Sequence, residues 1–392
     1  MALAAITMQA QPAIQLTIKP DGNAKTLRFM TDKPNQRYKI DWGDGQQVET
    51  DVIVVGQPLN SAARANNTAV TGIPVGDGDI KVYGDNITFF HCAKMNVSKL
   101  DVTGAPSIQY LCVNNNADLE ELDLSNSTSL RYLWFSKAGI KSLDFSNCLD
   151  VDTIIALKGK VESINVTKNE KLRVLELPEH QLTALDITGC PKMNYLRVHR
   201  NQIADFKAPY TLPQSAAVNI QGNRLKMSEL PNWSISSYTY APQEPMPVAA
   251  SYKVGEPLDL SSEFKLRGTK LTVKETQYTP ITADNRLLIE GEEYEAANGI
   301  ITFLKEQEQE VYVIMQTDAF VHFRYNSTDN KDYRFRTTNF RVTKSDTAIR
   351  TTRNGEKTIT AVYGLDGSSH TTLQHGLNIV RYSDGTTSTV VK

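Results

Sequence analysis

Seven apolar anchors recur at a nearly constant period through the middle of this chain. They are Phe90, Leu111, Leu133, Ile154, Leu175, Leu196 and Val218, spaced 21, 22, 21, 21, 21 and 22 residues. A second series, Leu100, Leu122, Leu143, Ile164, Leu185 and Phe206, runs through the same segment at 22, 21, 21, 21 and 21. Two interleaved series at one period mean that each turn of chain has two sides, both packed on a shared core. A period of 20–29 residues built on apolar alternation specifies a stacked solenoid.

The turn from Ser129 to Cys148 shows what one repeat does. Leu130, Leu133, Phe135, Ile140, Leu143 and Phe145 point inward. A strand has period two, so Tyr132, Trp134 and Ser136 point outward. Five residues after the anchor, other turns place Asn116, Asn201 and Asn223. A buried Asn there can bond backbone groups that a tight curve leaves unpaired. Ala138 and His180 interrupt this series, and the Ile154 turn offers no clear counterpart. The pattern L-x-[LV]-x-x-N-x-[LI] resembles internalin-like leucine-rich repeats. The half-repeat L-D-[VLFI]-[ST] resembles the secreted versions common in Bacteroidetes. The expected fold is therefore mainly β: a leucine-rich-repeat solenoid of about seven turns of 21–22 residues, flanked by β-sandwich domains.

Six segments follow. Residues 1–11 read as a signal-peptide remnant or disordered tail. An apolar stretch precedes a small-residue cleavage site near Ala10, without a charged segment before it. Residues 12–86 alternate as half-buried strands, with turn signals at Asp44-Gly45 and Asp77-Gly78. Within them, Tyr38 to Gly45 carries the run WGDG and resembles the strand-turn of PKD-like β-sandwich domains. Residues 87–232 form the solenoid, and 233–247 read as a Pro-rich linker. Residues 248–344 return to short strands and resemble an immunoglobulin-like module of bacterial surface proteins. Residues 345–392 open on a polar spacer. The run from Val362 to Gly367, then Leu373 to Arg381 and the final Val390-Val-Lys392, resembles a type IX sorting tail. Gly364 and Ser368 stand where that class carries Asp and Arg.

Leucine-rich repeats bind through the concave strand face, because stacked strands offer side chains in a grid. One column here is Phe89, Tyr110, Tyr132, Thr153, Val174, Tyr195 and Ala217. The next is His91, Cys112, Trp134, Ile155, Glu176, Arg197 and Asn219. A third is Ala93, Asn114, Ser136, Leu157, Pro178, His199 and Gln221. Aromatic and Arg clusters are what interface hot spots use. The candidate ligand-binding residues are Tyr110, Tyr132, Trp134, Glu176, Tyr195, Arg197 and His199.

Other constellations favour structure over chemistry. Asp101, Asp123, Asp144 and Asp186 form a column with Asn165 between them. Stacked carboxylates suit Ca²⁺, but an Asp before Ser or Thr is a turn former, and the turn role is expected. The acidic runs Glu290 to Glu295 and Glu306 to Glu310 read as solvated hairpin edges. Cys148 and Cys190 lie two turns apart, beyond disulfide reach, and Cys92 and Cys112 lie in different columns, one facing inward and the other outward. All four are expected as free thiols. No nucleophile elbow, zinc helix, P-loop or dinucleotide fingerprint occurs. A net charge of −2 offers no basic field for nucleic acid, and no 18-residue apolar run spans a membrane.

These observations predict a non-enzymatic, exported bacterial protein, secreted or at the cell surface. It acts in adhesion as a monomer, recognising a protein or glycan on its concave face without cofactor or metal. The alternative is an accessory carbohydrate-binding module of an exported glycan-utilisation system.

Overall fold

The computed structural model describes residues 11–235, 237–267, 272–320, 335–344, 359–365, 367–382 and 385–392. The leader-like residues 1–10 and the spacer 345–358 lie outside them. The chain forms two compact units, Met1–Thr343 and Lys344–Lys392.

The first unit opens with β1 (Ile14–Ile18), β2 (Lys25–Thr31), β3 (Lys39–Asp41) and β4 (Gln47–Glu49). The short helix α1 (Ser61–Arg64), β5 (Thr68–Gly72) and β6 (Asp79–Tyr83) follow. Their alternation delivers Ile14, Leu16, Ile18, Leu27, Phe29, Ile40, Ile80 and Val82 to the interior, each almost fully buried. The Asp41 carboxylate accepts the N–H groups of Gly43 and Gly45, which closes the WGDG turn.

Then come β7 (Ile87–His91), β8 (Val97–Asp101), β9 (Tyr110–Cys112), β10 (Tyr132–Trp134), β11 (Ser142–Asp144), β12 (Thr153–Ile155) and β13 (Ser163–Asn165). They continue as β14 (Val174–Glu176), β15 (Ala184–Asp186), β16 (Tyr195–Arg197), β17 (Asp205–Lys207), β18 (Ala217–Asn219) and β19 (Ser237–Thr239). All seven expected anchors sit in β7, β9, β10, β12, β14, β16 and β18. These strands pair in parallel, and the register matches the expected columns: Tyr132 opposite Tyr110 and Thr153, Trp134 opposite Cys112 and Ile155, Glu176 opposite Arg197. The fold is the leucine-rich-repeat solenoid that the period implies.

The terminal module is fused to the solenoid rather than linked to it. β2 and β5 extend the concave sheet beyond β7, so that one sheet runs β19-β18-β16-β14-β12-β10-β9-β7-β2-β5. On the opposite side β1 pairs antiparallel with β8. Both exposed edges of the first turn are thereby paired, which is how a solenoid end escapes edge-to-edge association. At the other end, the stretch expected as a linker, 233–247, instead builds an eighth turn. β19 pairs with β18, and Tyr240 and Ala241 are buried. Pro242, Pro245 and Pro247 fall after the strand, where no ladder N–H is required.

Buried side-chain amides hold the turns together. Asn116 Nδ2 donates to the carbonyls of Cys92 and Val113, and its Oδ1 accepts the N–H groups of Met95 and Val97. Asn223 and Asn201, one and two turns from the far end, likewise donate to carbonyls of two turns and each accept one N–H, from Ile203 and Leu182. Gln243 closes the series: its Nε2 donates to Ile220 O and its Oε1 accepts Asn223 N–H.

His180 does not break this ladder but substitutes for Asn. Its Nε2 lies 3.0 Å from Ala156 O, and its Nδ1 accepts Val161 N–H at 3.1 Å. Those partners place the proton on Nε2 of a neutral ring. The Ile154 turn contributes Gly159 at the equivalent position, and a Cβ there would stand 2.5 Å from His180 Cε1. The missing side chain makes room for a ring longer than Asn.

Burial pulls the His180 pKa below its ordinary 6.5, opposed by the bond to Ala156. The unfolded chain therefore binds a proton that the folded chain resists. This contribution is complete above pH 6.5 and is lost as pH falls from there through the lowered folded value. The fall in thermal midpoint between pH 7.5 and 5.5 is expected to be smaller in His180→Asn than in the parent. Equal falls in both would exclude His180 as a source of acid sensitivity.

The Asp column behaves as a set of turns. Asp101, Asp123, Asp144 and Asp186 each accept the N–H two residues on, and Asn165 does likewise. The four cysteines are free and buried. Cys148 and Cys190 donate to Leu124 O and Val166 O. Cys112, expected to face outward, does lie on the concave side, yet it is fully buried there.

Beyond the eighth turn lie β20 (Ser251–Lys253), β21 (Pro257–Asp259), β22 (Lys265–Arg267), β23 (Val273–Thr282), β24 (Tyr294–Ala297), β25 (Ile300–Phe303), β26 (Val311–Thr317), β27 (Phe335–Arg336) and β28 (Arg341–Thr343). They form small sheets of two, three and four strands. The core continues into this module without a break, with Tyr240 packed on Phe320 at 5.6 Å. The buried Glu263 carboxylate accepts Ser228 N–H and Oγ–H, tying the module to the turn that β18 opens. In the acidic runs, Glu293 is engaged by Arg286 at 3.0 Å.

The second unit is a four-stranded antiparallel sheet of β29 (Ile359–Tyr363), β30 (Ser369–His370), β31 (Leu377–Tyr382) and β32 (Thr387–Val391), in the order β30-β29-β31-β32. Among its described residues, Val362 and Val380 are the buried ones of apolar type.

Candidate recognition face

The concave sheet brings the expected site residues onto one surface but divides them into a covered and an open half. In the first column Phe89, Tyr110 and Tyr132 stack ring on ring, at 5.0 and 4.6 Å between centroids. In-register parallel strands stand about 4.8 Å apart, which is the spacing that aromatic stacking accepts. The stack does not open to solvent along its length. Tyr110 is only 3% exposed, because residues of the terminal module lie over it. The Arg64 guanidinium sits 4.5 Å from the Tyr110 ring centre and 5.5 Å from that of Tyr132. This corrects the expectation for Tyr110: its column is right, but the face above it is filled by the chain itself. Burial pushes the hydroxyl pKa of both Tyr110 and Tyr132 upward.

The open half begins at β10. Trp134 is 38% exposed, and its Nε1–H donates to Ser136 Oγ. That hydroxyl also accepts Leu157 N–H, so two neighbouring turns hold the indole in one orientation. Ile155 is half-buried beside it and Leu157 is 44% exposed. Trp134, Ile155 and Leu157 thus form an apolar patch across two turns. Ile155 and Leu157 are missing from the aromatic selection made on sequence. Both occupy outward columns, so the grid itself carried the signal.

Further along, Glu176 and Arg197 sit side by side on β14 and β16, with Arg197 stacked 4.6 Å from the Tyr195 ring. Burial raises the Glu176 carboxyl pKa and Arg197 lowers it. His199 follows β16, half-buried, its pKa lowered by burial and by Arg200 and Arg197. Tyr132 and Tyr195 are three strand spacings apart, about 14 Å.

Charged ladders frame the open half on both sides. Asp152 bridges Arg131 and Arg173 at 3.5 and 3.1 Å. Glu179 bridges Lys158 and Arg200, each at 3.5 Å. Each carboxylate serves two cations, so the frame is positive although the whole chain carries −2. Among the described residues, no group of His, Cys, Asp and Glu is arranged to hold a metal ion. No helix there is long and apolar enough to cross a membrane.

No family model matches the chain, and no curated protein matches it. Among solved structures the chain is similar to the functional domain of InlJ from Listeria monocytogenes, described as including a cysteine ladder. The sequence identity is 11%, the TM-score 0.27, and the match covers 64% of this chain and 71% of that one.

Proposed function

We propose that this protein is an exported, non-enzymatic surface or adhesion protein of a bacterium, and that it recognises a protein partner on the open half of its concave sheet. The observation that carries this reading is the patch of Trp134, Ile155 and Leu157, its indole held by Ser136, within a frame of cations. An apolar centre within a polar rim is the anatomy of a protein interface. The excess of cations suits a partner with carboxylates around an apolar knob, and such a rim acts chiefly on the rate of encounter. Export and a bacterial source are supported by the resemblance of the flanking segments.

The test is binding by the full chain, with candidate surface proteins on one arm and a glycan array on the other. Changing Tyr132, Trp134 and Tyr195 together to Ala is expected to weaken capture of a protein partner at least about 30-fold, roughly 2 kcal/mol of hot-spot energy. Unchanged affinity in the triple variant would remove the concave face from the reading. The exposed Trp134 ring beside Tyr132 also suits a sugar face. Selective polysaccharide binding lost in the same variant would establish the alternative, an accessory carbohydrate-binding module.

A further inference from the structure

We propose that residues 56–67 form a displaceable strap that occupies the first half of the concave recognition face, with Arg64 acting as an internal ligand of Tyr110 and Tyr132. The strap crosses a column built like the open half. Gly56 lies against the tip of Met30, where an added Cβ would stand 1.9 Å from Met30 Cε. Met30 is opposite Phe89 in register and so belongs to the same outward column. Arg64 then covers the next two rings of that column. Beneath lies a small cluster of Met30, Phe89, Tyr110 and Cys112, separate from the main core.

The ends of the strap are pinned to the terminal module. Val54 O accepts Thr31 N–H, Gly56 N–H donates to Thr31 O, and Arg28 donates to the Asn67 side chain. Its middle is bonded largely to itself: Arg64 N–H donates to Asn60 O, Arg64 Nη1 to Pro58 O, and Asn67 Nδ2 to Arg64 O. Among the described residues the strap meets the sheet through Gly56 against Met30 and through a guanidinium stacked on two phenol rings, and Pro58 is buried within it. A cation over an aromatic face is a modest, reversible contact. Lifting the strap would not tear any strand of the ten-stranded sheet, and it would add Phe89 and Tyr110 to the face. The significance of this motion rests on the concave-face reading above; the motion itself does not.

Cys112 reports on it without any partner. The thiol sits on the concave side, fully buried, and burial holds its pKa up at about 11. Cys92, Cys148 and Cys190 lie in the main core and need the solenoid to open. The experiment is native-state labelling of the full chain with a thiol reagent, each cysteine followed by peptide mass. In the parent, Cys112 is expected to react at least tenfold faster than the other three. Arg64→Ala is expected to raise its rate a further fivefold or so, with Arg64→Lys between and the core thiols unchanged. Four equal rates in the parent would overturn the strap. So would a Cys112 rate indifferent to Arg64→Ala, or four rates rising together in that variant. A confirmed strap with no partner for the open face would sink the functional reading and leave the strap standing.

Discussion

Asn116→Ala is expected to lower the unfolding free energy by about 4 kcal/mol, read as a shift in urea midpoint at constant slope. The side chain closes four contacts: Cys92 O, Val113 O, Met95 N–H and Val97 N–H. Each is a backbone group in a curve too tight to pair with its neighbour strand. A buried backbone group left without a partner costs about 1–3 kcal/mol, and partial relaxation keeps the total below the sum. The residue stands where the terminal module passes into the first full turns, so the loss weakens that junction as well as one repeat. Asn116→Asp is expected to be at least as harmful, because a carboxylate would face two carbonyl oxygens. A loss below about 1 kcal/mol for Asn116→Ala would mean that the backbone finds other partners, and the ladder would lose its role in stability.

Gly159→Ala is expected to cost about 2–3 kcal/mol through overpacking, and His180→Asn is expected to recover most of that loss. The added methyl would meet the imidazole at 2.5 Å. The ring cannot retreat without giving up Ala156 O and Val161 N–H. A shorter Asn at position 180 reaches the same kind of partners without crossing the space above Gly159, as Asn201 does one turn on. A double-mutant cycle should therefore show coupling of at least about 1 kcal/mol between the two positions. Additive losses would mean that Gly159 is small for some reason other than the ring above it.

Much of the solenoid was legible because its two constraints are local. An L-x-L alternation decides which side chains point inward, and a fixed period decides which residues become neighbours across turns. Those two facts placed Tyr132, Trp134, Glu176, Tyr195 and Arg197 in their columns, and the strand registers agree residue by residue. They also separated Cys148 from Cys190. Where the chemistry of the position mattered rather than its residue type, the period misled. His180 looked like an interruption because it is not Asn, yet an imidazole offers the same donor and acceptor. Gly159 looked like a gap because its meaning lies in the neighbour one turn later. The prolines after Trp233 suggested a linker, although they stand where a strand has already ended.

The cover over Tyr110 was beyond any reading of the repeat. Arg64 lies 46 residues before Tyr110, at the end of the short helix α1 of another module; nothing periodic connects the two. Only the pairing of β2 onto β7, and of β5 onto β2, carries that segment across the concave sheet. The sequence by itself determined the solenoid, its columns and the outward side chains, because stacking in register follows from spacing alone. The tertiary structure decided which of those side chains meet solvent, because exposure depends on what long-range contacts lay over a face and not on which way the face points.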